Sequence, residues 1–563
     1  MQWIKTKGAP SPVVLELEHA LGVPTAVASV LAQRGITSFE GAKSFFRPRL
    51  EDLHDPFLML GMEAAVNRVI EAITKGEKIL VYGDYDVDGT TSVSLVAGYL
   101  STLSSEIATY IPDRYTEGYG LSAKGIQYAS DNDIGLLITL DCGIKATEQV
   151  RTANSLGIDC IICDHHLPGD EVPKALAVLD PKQTDCLYPY KELCGCGIGF
   201  KLIQALAIRQ GQPFESLLPY LDLVATAIAA DIVPLTGENR ILAYYGLQQL
   251  NTAPRPGLNL LIQNTKKKEL QLSDLAFVIA PRINAAGRME HAQKAVDLLR
   301  SEDKEAALPF ARAIELMNSE RRLTDEKITE EALAQIALLE TEVSTVVMQE
   351  HWHKGVVGIV ASRLIESYYR PTVVLTASGD NLVGSVRSVR GLDVYEALAA
   401  CADHMIQFGG HKYAAGLTLK KGSLASFRAA FEEAVKERIT PEQLVPSLLY
   451  DATLTFNEVT PKLNRIIAQM GPFGPQNMRP VFRTEGVKDA GGCKVVGKDQ
   501  SHLKLEVTDF SSAPISGIAF GMAEHIHKIK SQTPFEMLYT VGENEFNGIR
   551  SLQLKVKALR FKE

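Results

Sequence analysis

Three acidic residues at alternate positions, closed by a glycine, stand out in Val81-Tyr82-Gly83-Asp84-Tyr85-Asp86-Val87-Asp88-Gly89-Thr90-Thr91. Carboxylates two residues apart in a tight turn can converge on one point. Their mutual repulsion makes that costly unless a cation sits there, so the chemistry favoured is divalent-metal binding. Two other readings compete. Asp-x-Asp-x-Asp-Gly also opens an EF-hand calcium loop, but that loop needs a Glu at its twelfth position, and counting from Asp84 the twelfth residue is Leu95. A strand, not a helix, also precedes it. An ordinary solvated acidic turn stays open on this stretch alone.

The elements that must hold such a turn are legible around it. Lys78 to Val81 reads as a short apolar strand and Thr90 to Leu100 as the helix after it. Further apolar runs follow at Ala108–Ile111, Leu136–Leu140, Cys160–Cys163 and Ala177–Leu179. The intervals are mostly wide enough for the crossover helices of a parallel sheet. Three of these runs lead straight into Asp141, Asp164 and Asp180, and the first reaches Asp84 three residues on. Ligands of open α/β sheets bind beyond the carboxyl ends of the strands, so acids gathered there point to a site. Asp164-His165-His166 adds two imidazoles at the same edge, which favours metal ligation over merely solvated histidines. The almost wholly apolar helix Leu223–Ala230 ends at Asp231, and a carboxylate delivered by a buried helix is expensive to leave unpaired.

Composition bounds the rest. At 563 residues the chain is too long for one core, and three or four domains are expected. No apolar run approaches the ~20 residues of a membrane span, and Met1-Gln2-Trp3-Ile4-Lys5 lacks a signal-peptide core. The eight cysteines follow no paired spacing, as in reduced thiols of a cytoplasmic protein with no membrane attachment. A net charge of −9 argues weakly against a protein that coats nucleic acid, but not against an enzyme whose metal cluster needs many acids.

Residues 1–54 read as a helical appendage, with helices at Ser11–Leu21, Thr25–Arg34 and Ser38–Phe46 and no visible chemistry. Residues 301–340 read as a long solvated connecting helix, whose Arg321 and Arg322 either line a groove or pair with neighbouring acids. A second α/β pattern begins near 344, with strands Thr345–Gln349, Pro371–Leu375 and Leu382–Val386 and a helix at Val356–Ile365. Gly409-Gly410-His411, with arginines nearby, suits phosphate or nucleotide contact, because glycines let backbone approach a ligand closely. Beyond 446 come short alternating strands: Ala452–Phe456, Val481–Thr484, Leu503–Val507, Ile515–Phe520, Met537–Val541 and Leu552–Ala558. They suggest a small sandwich or barrel.

Gly83-Asp84-Tyr85-Asp86-Val87-Asp88-Gly89 together with Asp164-His165-His166 resembles the DHH phosphoesterase superfamily. Three further stretches resemble its RecJ branch of bacterial single-strand-specific 5′→3′ exonucleases: Arg282 to Met289, Gly409 to Gly416, and Gly471-Pro472-Phe473-Gly474. The resemblance implies a multidomain α/β protein. A DHH catalytic domain (55–300) and a DHHA1-type substrate-binding domain (341–440) would flank the connecting helix, followed by an all-β OB-fold (446–563). It implies two divalent ions, Mn²⁺ or Mg²⁺, held by Asp84, Asp86, Asp141, His165 and Asp231, with Asp141 between them and Asp231 on the second. Asp88 and Asp164 would stand behind the ligands, and His166 would face the phosphate in a catalytic role. The mixture of Asp and His leans toward Mn²⁺, because Mg²⁺ prefers all-oxygen shells.

Substrate would be held by Arg114, Asn284, Arg288, His353, Ser385, Arg387, Gly409, Gly410 and His411, with Arg114, Arg288 and Ser385 on a 5′ phosphate. Single-strand contacts from the OB-fold would come from Phe473, Asn477, Arg479, Phe546 and Arg550, each of which equally suits core or rim. One departure concerns Tyr82, where many DHH phosphatases place a metal-binding His; one ion would then have fewer protein ligands. The implied partners are single-stranded DNA with a 5′ end, a single-strand-binding protein and a RecQ-type helicase, in repair and recombination, with the chain a monomer. Two alternatives remain at this point. An oligoribonuclease or cyclic-dinucleotide phosphodiesterase generally lacks the C-terminal strands. A non-catalytic DNA-binding scaffold would have lost ligands.

Overall fold

The computed structural model describes residues 1–265, 267–339, 342–546 and 548–561, the side chain of Phe546 apart. They form two compact units. One comprises Trp3–Pro112, Glu117–Ala280 and Leu448–Glu563; the other comprises Met1–Gln2, Asp113–Thr116 and Pro281–Ser447.

The first unit opens its chemistry on β1 (Lys78–Gly83), followed by α1 (Val87–Leu100). Ile79 through Tyr82 are all buried, which is why β1 reads as a continuous apolar run, as strands covered on both faces do. β2 (Ile107–Tyr110), β3 (Ile134–Leu140), β4 (Asp159–Cys163) and β5 (Ala177–Leu179) complete an all-parallel sheet in the order β2-β1-β3-β4-β5. The chain leaves β1 toward one edge and returns on its other side, so a crevice opens at the carboxyl ends of β1 and β3. Two buried helices, α2 (Gly195–Arg209) and α3 (Leu221–Ala230), deliver further residues to that crevice.

The second unit contains α4 (Lys304–Ile336) and a mixed sheet. The sheet strands are β6 (Thr345–Met348), β7 (Thr372–Ser378), β8 (Asn381–Arg387), β9 (Gln407–His411) and β10 (Ala414–Lys420), in the order β9-β10-β8-β7-β6. Strand alternation sends Val346, Val373, Val386 and Ala415 to one core, and Val347 and Val374 to another shared with α4 and α5 (Val357–Tyr368). On α4, Arg321 donates to Asn318 Oδ1 at 2.7 Å and lies 3.7 Å from Asp325. Of the two readings of Arg321, pairing with acids is the one seen.

The C-terminal part of the first unit is a barrel. β11 (Phe482–Asp489), β12 (His502–Thr508), β13 (Ile515–Ala519), β14 (Phe535–Phe546) and β15 (Ile549–Phe561) close in the order β11-β12-β13-β15-β14, back to β11. Only β13 and β15 run parallel, the Greek-key closure of an OB-fold. Helices Ser11–Leu21 and Thr25–Gln33 bury Val14, Leu17, Ala28 and Leu31 in the same core as Leu503, Leu505 and Met537, so the N-terminal segment is part of the barrel's packing. The expected strand Ala452–Phe456 is only Ala452–Thr453, because the Thr455/Glu458 capping box turns the chain there. No helix among the described residues is long and apolar enough to cross a membrane.

Candidate metal centre

Each sequence-nominated acid arrives at the end of an element. Asp84 follows β1, and Asp86 is the N-cap of α1, its side chain accepting from the Gly89 amide at 3.1 Å. A Cβ at Gly89 would overlap the Asp84 carbonyl, so only glycine lets the acidic turn close so tightly. Asp88, in the first turn of α1, accepts from the Gly195 and Cys196 amides at 2.6 and 2.8 Å, so the amino end of α2 holds its charge. Asp141 follows β3 at φ 60°. Asp164, after β4, accepts from the amides of Ile144, His165 and His166 and, at 2.7 Å, from His166 Nδ1. Asp231 caps the carboxyl end of α3.

His165 is the hub. Its Nε2 lies 3.1 Å from Asp141, 3.7 Å from Asp231 and 3.8 Å from Asp88. Neither ring nitrogen has a hydrogen-bond partner although both are buried, since the close approach to Asp141 is not aligned as a hydrogen bond. A buried imidazole among carboxylates from three elements, making none of its own hydrogen bonds, has the surroundings of a metal ligand. Electrostatics agree. Burial, then Asp86, pushes Asp88 up to about 7; burial, then Asp88 and Asp86, pushes Asp231 up to about 9. Asp141 is driven well above the usual carboxylate range by burial and by its four acidic neighbours. Burial and His166 push His165 down to about 3, which keeps it a neutral donor. Burial works against ionised Asp164 too, but the His166 bond and charge win and hold it at about 2. These residues fit hard divalent cations: oxygen donors with one or two imidazoles, and a surplus of negative charge that needs one.

Tyr82 is no ligand. Its hydroxyl donates to Gly120 O at 2.7 Å and accepts from the Ser122 amide, and its ring stacks on Tyr110. One neighbour escaped the sequence reading. Half-exposed Tyr119 reaches the Asp141 carbonyl at 3.2 Å and lies 3.2 Å from His166 Nε2. Its only local signal is Gly118-Tyr119-Gly120, whose glycines both sit at φ 85° and swing the ring inward.

The second unit groups the nominated substrate residues in two places. Arg288 donates to Gly355 O at 3.0 Å and accepts the Tyr115 hydroxyl on its own carbonyl, while His353 packs edge-on against Tyr115. Arg114 sits beside Tyr115 in the loop 113–116, and Asn284 lies one helical turn before Arg288. Burial, then Lys354, lowers His353. The second group lies on one face of the sheet. Register sets Ser385 opposite Gly416 and Gly409, and Arg387 opposite Ala414 and His411. Arg387 Nη1 donates to Ser385 Oγ at 2.7 Å, and the amino end of α5 comes so near at Gly358 that a Cβ there would crowd both side chains. Gly410, at φ 149°, leaves no room for a Cβ against Ala414 and Ala415.

Of the barrel residues, Arg479 stacks on Phe473 at 4.4 Å. Arg550 is exposed and pairs with Glu545 at 3.2 Å. The expectation for Asn477 fails. It is 1% exposed, donates to Met470 O and Pro472 O and accepts from Arg34, so it holds the loop 470–478 together and has no surface to offer a strand. The side chain of Phe546 lies outside the described residues.

Comparison with known proteins agrees with this layout. Residues 78–228 match the DHH family N-terminal domain, 340–437 the DHHA1 domain and 450–558 the RecJ OB domain. The single-stranded-DNA-specific exonuclease RecJ of Bacillus subtilis is 36% identical over 97% of this chain and 69% of its own. That of Escherichia coli is 34% identical over 94% of this chain and 95% of its own. The crystal structure of Thermus thermophilus RecJ in complex with Mn²⁺ superimposes with a TM-score of 0.86 at 28% identity, covering 100% of this chain and 80% of that one.

Proposed function

The chain belongs to the RecJ family of DHH phosphoesterases, and from that premise we propose that it is a metal-dependent exonuclease that hydrolyses single-stranded DNA from its 5′ end, releasing 5′-mononucleotides. The observation that carries it is the unpartnered His165 ring among Asp88, Asp141 and Asp231. Asp84, Asp86, Asp141, His165 and Asp231 would hold two divalent ions, Mn²⁺ or Mg²⁺. Ions held there would supply Lewis-acid chemistry, lowering the pKa of water and offsetting charge on the leaving 3′ oxygen. Asp164 fixes the His166 ring through Nδ1, and Nε2, beside the Tyr119 hydroxyl at 3.2 Å, would face a phosphate oxygen. Asp88 fixes the first amides of α2 against the turn that carries Asp141.

The second unit supplies groups suited to a terminal phosphate: Arg387 and Ser385 beside the open Gly409 and Gly416 row, and Arg288 and Arg114 near His353. Holding a 5′ phosphate would set polarity. A single-strand-binding protein and a RecQ-type helicase suit a monomeric enzyme that needs its strand exposed. The test is an oligonucleotide labelled separately at each end and incubated with Mn²⁺, Mg²⁺ or EDTA. Immediate mononucleotide release from the 5′ label, absent in EDTA and on blunt duplex, is expected. Tight binding without cleavage in any metal would make the chain a scaffold, and cleavage restricted to very short RNA would make it an oligoribonuclease.

A further inference from the structure

A hydroxyl stands at the metal centre with no ligand role. The Tyr119 ring is 56% exposed, yet its oxygen donates to the Asp141 carbonyl at 3.2 Å and lies 3.2 Å from His166 Nε2. Packing does not account for this. A half-exposed ring gains little from burial, and the backbone beneath it takes a shape that only glycine adopts cheaply, with Gly118 and Gly120 both at φ 85°. A Cβ at either glycine would meet nothing within 4 Å, so the backbone angle alone demands glycine there.

The turn is also fixed from below. Tyr82, fully buried on β1, donates to Gly120 O at 2.7 Å and accepts from the Ser122 amide at 3.1 Å. Its ring stacks on Tyr110, whose hydroxyl donates to Glu117 at 3.0 Å, and Ser122 Oγ donates to the same Glu117 oxygen at 2.7 Å. Glu117, Gly120 and Ser122 are thus tied to the sheet on both sides of Tyr119. From the acidic turn, Tyr85 packs edge-on against the Tyr119 ring at 6.4 Å. So much bonding around one half-exposed side chain fits a group that must be held in place for a ligand.

The chemistry of that place selects a phenol. Among Asp84, Asp86, Asp88, Asp141 and Asp231 a cationic donor would pair with a carboxylate and compete with a metal. A neutral hydroxyl donates one hydrogen bond without adding charge. His166 Nδ1 is taken by Asp164, and Nε2 adjoins the Tyr119 hydroxyl. A phosphate oxygen brought to Nε2 comes within reach of that hydroxyl, which can exchange the Asp141 carbonyl for it.

We propose that Tyr119 is a further catalytic residue, its hydroxyl donating to a non-bridging oxygen of the scissile phosphate beside His166, and that Tyr82 is the residue that positions it. The proposal rests on reading the chain as a single-strand nuclease. The test is single-turnover hydrolysis of a 5′-phosphorylated oligothymidylate by the full chain in saturating Mn²⁺, over a range of strand concentrations. The 5′-terminal linkage is supplied as phosphate or as either phosphorothioate diastereomer. Tyr119→Phe is expected to lower the rate on phosphate about 10²-fold, the worth of one transition-state donor, with half-saturation little changed. On one diastereomer, where sulfur replaces the oxygen that accepts the bond, the penalty should largely vanish. Tyr82→Phe keeps the ring and is expected to cost about tenfold, the worth of one hydrogen bond, with Mn²⁺ affinity by titration unchanged. Combined with Tyr119→Phe it should add nothing further, since Tyr82 acts through Tyr119. A Tyr119→Phe chain as fast as the parent, or equally slowed on every linkage, would overturn the phosphate contact and leave the nuclease reading standing. Additive losses, or weakened Mn²⁺ binding by Tyr82→Phe, would overturn the positioning role. A parent chain that hydrolyses none of the strands would overturn the nuclease reading beneath it.

Discussion

The two α/β sheets build their sites on opposite principles. Around the parallel sheet of the first unit the nominated metal-centre residues stand at the carboxyl edge or at the end of a buried helix, and nearly all are acids: Asp84, Asp88, Asp141, Asp164 and Asp231, with His165 among them. In the second unit the group around Ser385 and Arg387 lies on the face of a mixed sheet, set side by side by strand register, with an arginine as its charged member. Gly409 and Gly416 keep that face open, where the first sheet's edge is crowded. An edge site gathers charges from many strands at the cost of like-charge repulsion, and it is complete only with a counter-ion. A face site gathers fewer groups and needs none. Catalytic power should therefore sit at the edge and substrate affinity on the face.

Asp141→Asn breaks that division most sharply. It removes the carboxylate nearest His165 Nε2 and is expected to lower turnover with saturating Mn²⁺ by at least about 10³-fold. KM for a 5′-phosphorylated strand should move little. Single-turnover release of mononucleotide is the measurement, and near-normal hydrolysis would remove Asp141 from the metal centre. Arg387→Ala is the mirror experiment, with an expected rise in KM of ~10–100-fold on 5′-phosphorylated strands, the worth of a charge-assisted hydrogen bond, and little change in kcat. A 5′-hydroxyl strand should be nearly indifferent to the change. If kcat falls instead, the face takes part in chemistry and the division fails.

The edge was far more legible in the sequence than the face. Strands buried on both sides are continuous apolar runs, so β1, β3 and β4 announced themselves, and the acids after them followed. The Asp231 helix was legible for the same reason. On the face, β9 carries Gly409-Gly410, which breaks the alternation that marks a strand, and its pairing with β10 is a tertiary fact. Tyr119 was missed because its reach to Asp141 depends on two loop glycines. Asn477 misled because a polar residue in a Gly-Pro loop looks like surface. What buries it is Arg34, far away in the chain, with Arg240 donating to Gly471 O and Pro472 O of the same loop. The N-terminal helices showed their apolar faces without naming the barrel as their partner.

Asn477 thus gives a smaller effect of a different kind. Asn477→Ala takes from the Met470 carbonyl its Asn477 bond and from the Pro472 carbonyl and the Arg34 guanidinium one partner each, with Arg240 and the Met478 carbonyl remaining, and should cost about 1–3 kcal/mol of stability. Denaturant unfolding measures it, and the loss should appear with metal or without. A variant as stable as the parent would return Asn477 to the surface.

The subtlest consequence of the contrast is a pH dependence confined to the edge. Asp88 at about 7 and Asp231 at about 9 lie above their ordinary value of 3.8, so protonation favours the folded state. Their contribution is full below about 4 and is lost as pH rises through those values. His165 works the other way: pushed from 6.5 to about 3, it contributes above 6.5 and loses that as pH falls. The two oppose each other in mild acid, while between pH 7 and 9 the carboxylates act without His165. Asp180, raised to about 7 by burial, adds to the lower end of that window. In EDTA the melting temperature should therefore fall from pH 7 to 9, and saturating Mn²⁺ should flatten the fall by replacing protons with metal charge. His353, lowered by burial and Lys354, is neutral throughout the window, so the second unit adds no slope through that group. A metal-free melting curve that is flat between pH 7 and 9 would mean that the edge carboxylates do not repel one another as their burial demands.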